Sequence, residues 1–252
     1  MSVPGSYRAL VILEFVLAVA TFVGLRFVRA PYGRYASKRW GPTVPARLGW
    51  LVMESPAVLV FAAVYALGPH RAQATPVVLL VIWQSHYLYR AFGYPWTLRG
   101  AARMPVAIAL MAIAFNVLNG YVNARWVSAL GDYPAGWLVD PRFVAGAVLF
   151  FAGMAVNRDA DRRLRALRAP HGSDGYQVPY GGMYRWVSCP NYLGEMVQWF
   201  GWALLTWSAA GLAFAVYTLA NLLPRAIDHH AWYRERFAGY PSGRRAVLPF
   251  IW

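Results

Sequence analysis

Cysteine is almost missing from this 252-residue chain. Cys189 stands alone, which excludes an internal disulfide and a cysteine-built metal site. Lysine is as scarce: of 24 basic residues only Lys38 is a lysine, the rest being arginine. Acidic residues number 10, and charged residues together make up 13% of the chain, about half the ~25% of a soluble domain. No CxxC, HExxH, Walker A or GxGxxG motif occurs, so no Rossmann cofactor site is indicated and no metal is expected.

What replaces charge is apolar surface. Hydrophobic residues reach 59% and aromatics 16%, with 12 tryptophans. That excludes a disordered chain, which is poor in aromatics and rich in charge. A compact soluble protein of this size could not hide so much apolar surface, whereas a lipid-facing exterior removes the difficulty. The expectation is an all-α, polytopic integral membrane protein, residues 1–252 forming one membrane-embedded domain. Net charge is +14, but the arginines lie between apolar stretches instead of lining one water-exposed face. Nucleic acid is therefore not an expected partner; membrane lipids are.

Seven apolar runs are expected to be helical, because lipid offers the backbone no hydrogen bonds. They cover about Tyr7 to Val28, Leu48 to Leu67 (interrupted by Glu54 and Pro56), Pro76 to Tyr94, Met104 to Val122, Phe143 to Asn157, Tyr192 to Ala209 and Leu212 to Ile227. A spanning helix needs ~20 residues, so the fifth and seventh must either borrow from their polar continuations, toward Arg168 and past Phe237, or be tilted. Lys and Arg beside the loops after runs one, three and five, and in the tail, total 20; the other side holds only Arg8, Arg71, Arg125 and Arg142. The positive-inside rule then puts the N-terminus outside and the C-terminus in the cytoplasm.

Several polar residues lie where lipid disfavours them. Glu54 sits inside the second run, and such a carboxyl is either functional or hydrogen-bonded to another helix. Glu14, in the first run, has no polar company and reads as structural. Gln84, Tyr87 and Tyr94 share one helical stripe at spacings of three and seven; Tyr87 is either a hydrogen-bond donor or part of an interfacial aromatic belt. Three stripes follow near the cytoplasmic ends: Asn157, Asp161, Arg165 and Arg168; Asn191, Glu195, Gln198 and Trp202; Arg225, His229, Tyr233 and Arg236. Each alone reads as a solvated face. Three meeting one membrane surface suggest a walled pocket for phosphates, amides and a flat ring. The Tyr176–Tyr184 segment, with Gly181-Gly182, reads as a lid or a turn.

Pro179-Tyr180-Gly181-Gly182-Met183-Tyr184, running through Val187-Ser188-Cys189-Pro190-Asn191-Tyr192-Leu193-Gly194-Glu195, resembles the steroid 5α-reductase family, the 3-oxo-5α-steroid 4-dehydrogenases. So do the tail from Tyr240 to Trp252, Asp132-Tyr133-Pro134-Ala135-Gly136-Trp137, and His86-Tyr87 with Arg90. The resemblance covers about Leu48 to Trp252, leaving 1–47 as first span and cytoplasmic loop. It implies a seven-helix oxidoreductase acting on a CH–CH bond, with NADPH taken from the cytoplasmic side. By position, Glu54 and Tyr87 match the pair holding the steroid 3-keto oxygen. Asn157, Asp161, Arg168, Tyr176, Asn191, Glu195, His229 and Tyr233 match cofactor-contacting positions, as do Trp199, Arg225 and Arg244. Gln177 and Asp228 depart from residues frequent in animal members.

The implied reaction delivers hydride to carbon 5 of a 4-ene-3-one, such as testosterone or progesterone, while negative charge develops on the 3-oxygen. Donors aimed at that oxygen stabilise it. The steroid is expected to enter a monomeric enzyme from lipid and the cofactor from water. The rivals are a membrane methyltransferase of the isoprenylcysteine carboxyl type, using S-adenosylmethionine, and a lipid-binding or transport protein. Glu54 with Tyr87 favours the reductase over the first. Transporters often carry internal repeats, and none is seen here.

Overall fold

The computed structural model describes residues 3–30, 35, 40–98, 103–168 and 176–250. Every expected apolar run carries a helix. The long ones are α1 (Gly5–Phe27), α2 (Ala46–Ala66), α3 (Ala74–Leu88), α5 (Val106–Arg125), α6 (Pro141–Arg168), α7 (Pro190–Thr206) and α8 (Ala209–Arg236). A one-turn helix, α4 (Tyr94–Thr97), follows α3 through a π turn, Tyr89–Gly93. Among the described residues five segments, α1, α2, α5 with its continuation to Leu130, α6 and α8, are long and apolar enough to cross a membrane. α3 has 15 residues and α7 has 17. α6 and α8 extend into polar sequence to 28 residues each, the continuation that their short apolar runs require.

Local chemistry sets the boundaries. Asp140 caps α6, accepting from Arg142 N at 2.8 Å. Its bonds to Arg142 hold the Asp140 carboxyl down at about 2. Trp207 turns left-handed (φ 45°) and ends α7 short of the expected Ala209, and Ser208 Oγ then caps α8 by accepting from Gly211 N. α2 runs on through Pro56. Side chains from neighbouring helices serve its carbonyls there: Asn116 Nδ2 donates to Met53 O at 2.7 Å, Trp83 Nε1 to Ala57 O at 2.9 Å and Gln84 Nε2 to Val58 O at 3.2 Å.

One element corrects the all-helical expectation. β1 (Thr43–Pro45) and β2 (Arg103–Pro105) form a two-stranded antiparallel ribbon, with Val44 facing Met104. Each strand ends on the proline that precedes a helix, and a residue before proline is driven into extended backbone. Arg103 pins the ribbon, bonding the Thr43 hydroxyl at 2.7 Å and carbonyl at 2.6 Å.

The packing that matters most for the site is α6 against α7. Glycines seven apart on each helix, Gly146 and Gly153 facing Gly194 and Gly201, let the backbones touch. A Cβ at Gly194 would stand 2.5 Å from Asn157 N, and one at Gly201 2.5 Å from Phe150 N. Behind this crossing lies an aromatic core that includes Phe61, Trp83, Tyr87, Phe150, Trp199 and Trp202.

Candidate functional site

Two cavities adjoin inside the helices. The first, about 260 Å³, is the more polar of the two and takes residues from the ends of α6, α7 and α8. The close α6–α7 crossing brings Asn157 Nδ2 to 2.9 Å from Asn191 O, which accepts its hydrogen bond. Asn191 Nδ2 in turn donates to Asp161 Oδ1 at 3.3 Å. On the α8 side, Arg225 Nη2 donates to the Tyr192 hydroxyl at 2.9 Å, and that hydroxyl also meets His229 Nε2 at 3.2 Å. Glu195 and Tyr233 line the same wall. Seven of the residues chosen from sequence, Asn157, Asp161, Asn191, Glu195, Arg225, His229 and Tyr233, thus surround one space.

The second cavity, about 480 Å³, is mainly apolar and falls in the range of small-molecule sites. Glu54 and Tyr87 line it together with His86 and Asn116, among Met53, Ile108, Phe115 and Phe214. Both cavities share Trp50, Arg90, Glu195 and Arg225. Arg90 is the hinge between them: Nε stands 3.8 Å from Glu54 Oε1 and Nη1 3.9 Å from Asp161 Oδ2. Its guanidinium lies over the rings of Trp50 and Tyr94 at 4.5 and 4.6 Å.

The π turn explains how Arg90 gets there and corrects one stripe. Tyr94 N–H bonds Tyr89 O, an i to i+5 link that inserts a residue into the helical repeat. Tyr87 and Tyr94 therefore face different cavities, the apolar and the polar one respectively. Gln84 is spent on the α2 backbone, and Trp202 is buried in the core, donating to Asn123 Oδ1 at 2.8 Å.

Other residues chosen from sequence line neither cavity. Trp199 is 1% exposed and stacks behind Tyr87, ring centres 5.5 Å apart. Tyr176 meets the ring of Trp232 edge-on at 5.2 Å. Arg244 is buried over Tyr180 and Tyr240. The Arg168 side chain falls outside the described residues. The glycine pair makes a docked turn: Gly181 (φ 83°) and Gly182 (φ 51°) pack on the polar end of α6, and a Cβ at Gly182 would stand 2.6 Å from Asp159 Oδ2. Tyr184 beyond it is buried, which pushes its hydroxyl's pKa up. Parallel pairing of Val187 with Arg245 then ties the tail to the start of α7. Asn116 and Tyr192 escaped the sequence reading; an amide inside an apolar helix, which also carries Asn119 and Asn123, was the signal for the first.

The family model described as 3-oxo-5-alpha-steroid 4-dehydrogenase matches residues 102–252. The chain is 43% identical over 244 residues to the Gossypium hirsutum protein named steroid 5-alpha-reductase DET2, covering 94% of each. It is 42% identical over 247 residues to 3-oxo-5-alpha-steroid 4-dehydrogenase 1 of Bos taurus, covering 96% of each. Identity to the Homo sapiens protein of that name is 38% over 245 residues, 96% of this chain and 94% of that one. With the family model matching more than half of the chain and the relatives nearly all of it, this protein belongs to the 3-oxo-5α-steroid 4-dehydrogenase (steroid 5α-reductase) family of oxidoreductases.

Proposed function

We propose that this enzyme reduces the 4,5 double bond of 3-oxo-4-ene steroids with NADPH. The observation that carries the reading is the junction at Arg90: a polar cavity suited to a charged dinucleotide opens onto an apolar one holding a carboxyl and a phenol. The donor set fits the cofactor. Arg165, on the wall of the polar cavity, has an Nη1 that is buried without a hydrogen-bond partner among the described residues, as a phosphate-binding guanidinium group would be before loading. The amides of Asn157 and Asn191, with Asp161 and Glu195, suit amide and ribose groups, and the surplus of arginine favours a 2′-phosphate. When bound, the nicotinamide supplies the hydride for carbon 5.

Glu54 and Tyr87 hold the 3-keto oxygen, each as a donor, and stabilise the enolate as charge grows there. One such donor is worth roughly 2.7–4 kcal/mol. Arg90 keeps the Glu54 side chain oriented toward the junction. The apolar walls exclude water from the reacting carbons and admit a sterol from lipid. In this reading all seven long helices span the membrane, with the N-terminus outside and the polar cavity facing the cytoplasm, as the 20 to 4 charge split supports. The enzyme acts as a monomer.

The test is thermal unfolding of the detergent-purified protein with NADPH, NADH or S-adenosylmethionine, alongside turnover of progesterone or testosterone. Stabilisation by NADPH above NADH, with formation of the 5α-reduced 3-oxo product, is expected. Stabilisation by S-adenosylmethionine alone would overturn the reading.

A further inference from the structure

Gln198, on α7, has no exposed surface, and its amide nitrogen donates to His86 Nδ1 at 2.8 Å across 112 residues of sequence. His86, on α3, is 7% exposed. Its ring meets Tyr87 edge-on at 5.0 Å and Trp199 at 4.9 Å, so the imidazole is clamped between two aromatic walls and one amide. It also lines the apolar cavity beside Tyr87 and Glu54.

An Nδ1 that accepts from an amide carries no proton. The ring is then neutral and its proton sits on Nε2. With Nδ1 engaged by Gln198, the edge left for the cavity carries that Nε2–H. Turning the amide round would leave its NH₂ group in the dry position now held by Oε1, which has no partner among the described residues. Two unmade donor bonds would replace one unmade acceptor, so the observed orientation is the favourable one. The α6–α7 crossing sets Gln198 in place: a Cβ at Gly153 would stand 2.5 Å from Gln198 N.

We propose that His86 is a further hydrogen-bond donor to the substrate's carbonyl oxygen, acting through Nε2–H, and that Gln198 is the positioning residue that selects this tautomer. The proposal rests on reading the apolar cavity as the enone site. Its chemical logic lies in the neighbour: the Glu54 carboxyl donates only while it holds its proton, and the Arg90 guanidinium stands 3.8 Å from it. A neutral imidazole donates whatever the state of that pair.

The test has two arms. In the first, ¹⁵N NMR of histidine-labelled protein reads the tautomer, with the His86 signals identified by their loss in His86→Gln. A protonated Nε2 and bare Nδ1 are expected in the wild type, and a protonated Nδ1 in Gln198→Glu, where the donor becomes an acceptor. In the second, His86→Phe should lower kcat roughly 10²-fold, the effect of losing one such donor, with KM little changed. Gln198→Glu should lower kcat in the same sense, and His86→Gln, which restores an N–H donor, should recover part of it. NADPH-dependent thermal stabilisation should persist throughout. A bare Nε2 in the wild type, or an unchanged kcat in His86→Phe, overturns the proposal. A wild type that reduces no 3-oxo-4-ene steroid overturns the enone reading instead, and the NMR arm, which needs no turnover, tells the two failures apart.

Discussion

The Arg90 guanidinium stands 3.8 Å from the Glu54 carboxyl, at the wall where the polar and apolar cavities meet. Asp161 lies 3.9 Å away on its other side, so one cation links a carboxyl of the apolar cavity to a carboxyl on the wall of the polar one. Neither ion pair is close enough for a hydrogen bond. The guanidinium is held instead by two aromatic faces, which leaves its N–H groups available to whatever enters either cavity.

Arg90→Leu should therefore damage both halves at once. Removing the guanidinium takes away the cation beside the half-buried Glu54 and Asp161 carboxyls and its stacking on Trp50 and Tyr94. We expect a lower melting temperature without ligand and loss of the NADPH-induced shift, both read by thermal unfolding in detergent. Wild-type values for both would dissociate Arg90 from the site.

Glu54→Gln and Tyr87→Phe separate the carbonyl pair from the cofactor wall. Each should lower 4-ene-3-one turnover by roughly 10²–10³, Tyr87→Phe by losing its hydroxyl and Glu54→Gln by exchanging the acid for an amide that still donates but more weakly, while NADPH still stabilises the protein. Near-normal turnover in both variants would refute the role assigned to them.

Asn157→Leu removes the amide that donates to the Asn191 carbonyl across the α6–α7 crossing. Asn191→Ala removes the donor to Asp161. Both should raise the NADPH concentration needed for half-maximal thermal stabilisation. Titrations indistinguishable from wild type would place the cofactor elsewhere.

Gly153→Leu and Gly194→Leu test the crossing that assembles the polar cavity. A side chain at either position meets backbone of the partner helix, not a flexible tip. Overpacking of this kind costs typically about 1–3 kcal/mol. Both variants should unfold at lower temperature and bind NADPH weakly, whereas Gly239→Ala, with open space around it, should behave as wild type.

A reporter fused after Trp252 should give a cytoplasmic signal, and one placed before Ser2 an external one. A cytoplasmic signal at both ends would remove one span from the proposed seven and invert the placement of the site.

How far the sequence alone reached differs between the helices and the site. Apolar run length and the missing backbone partners of lipid determine that these segments are helical, and the arginine bias determines their expected sidedness; both are one-dimensional properties. The polar stripes that line the first cavity were legible for the same reason. Asn157, Asp161, Asn191, Glu195, His229 and Tyr233 recur at helical spacing, so a shared face could be read without knowing what it faced. Tertiary structure alone decided the rest. Spacing put Tyr87 and Tyr94 on one stripe, but the π turn inserts a residue between them and sends them to different cavities. Gly146, Gly153, Gly194 and Gly201 read as unremarkable glycines until two backbones meet through them. Arg90, one basic residue among 24, acquires its role only because α2 brings Glu54, α6 brings Asp161 and two aromatic rings hold it between them. A spacing rule sees neighbours on one helix; the junction of this site is made from side chains on different helices, and their meeting is set by packing.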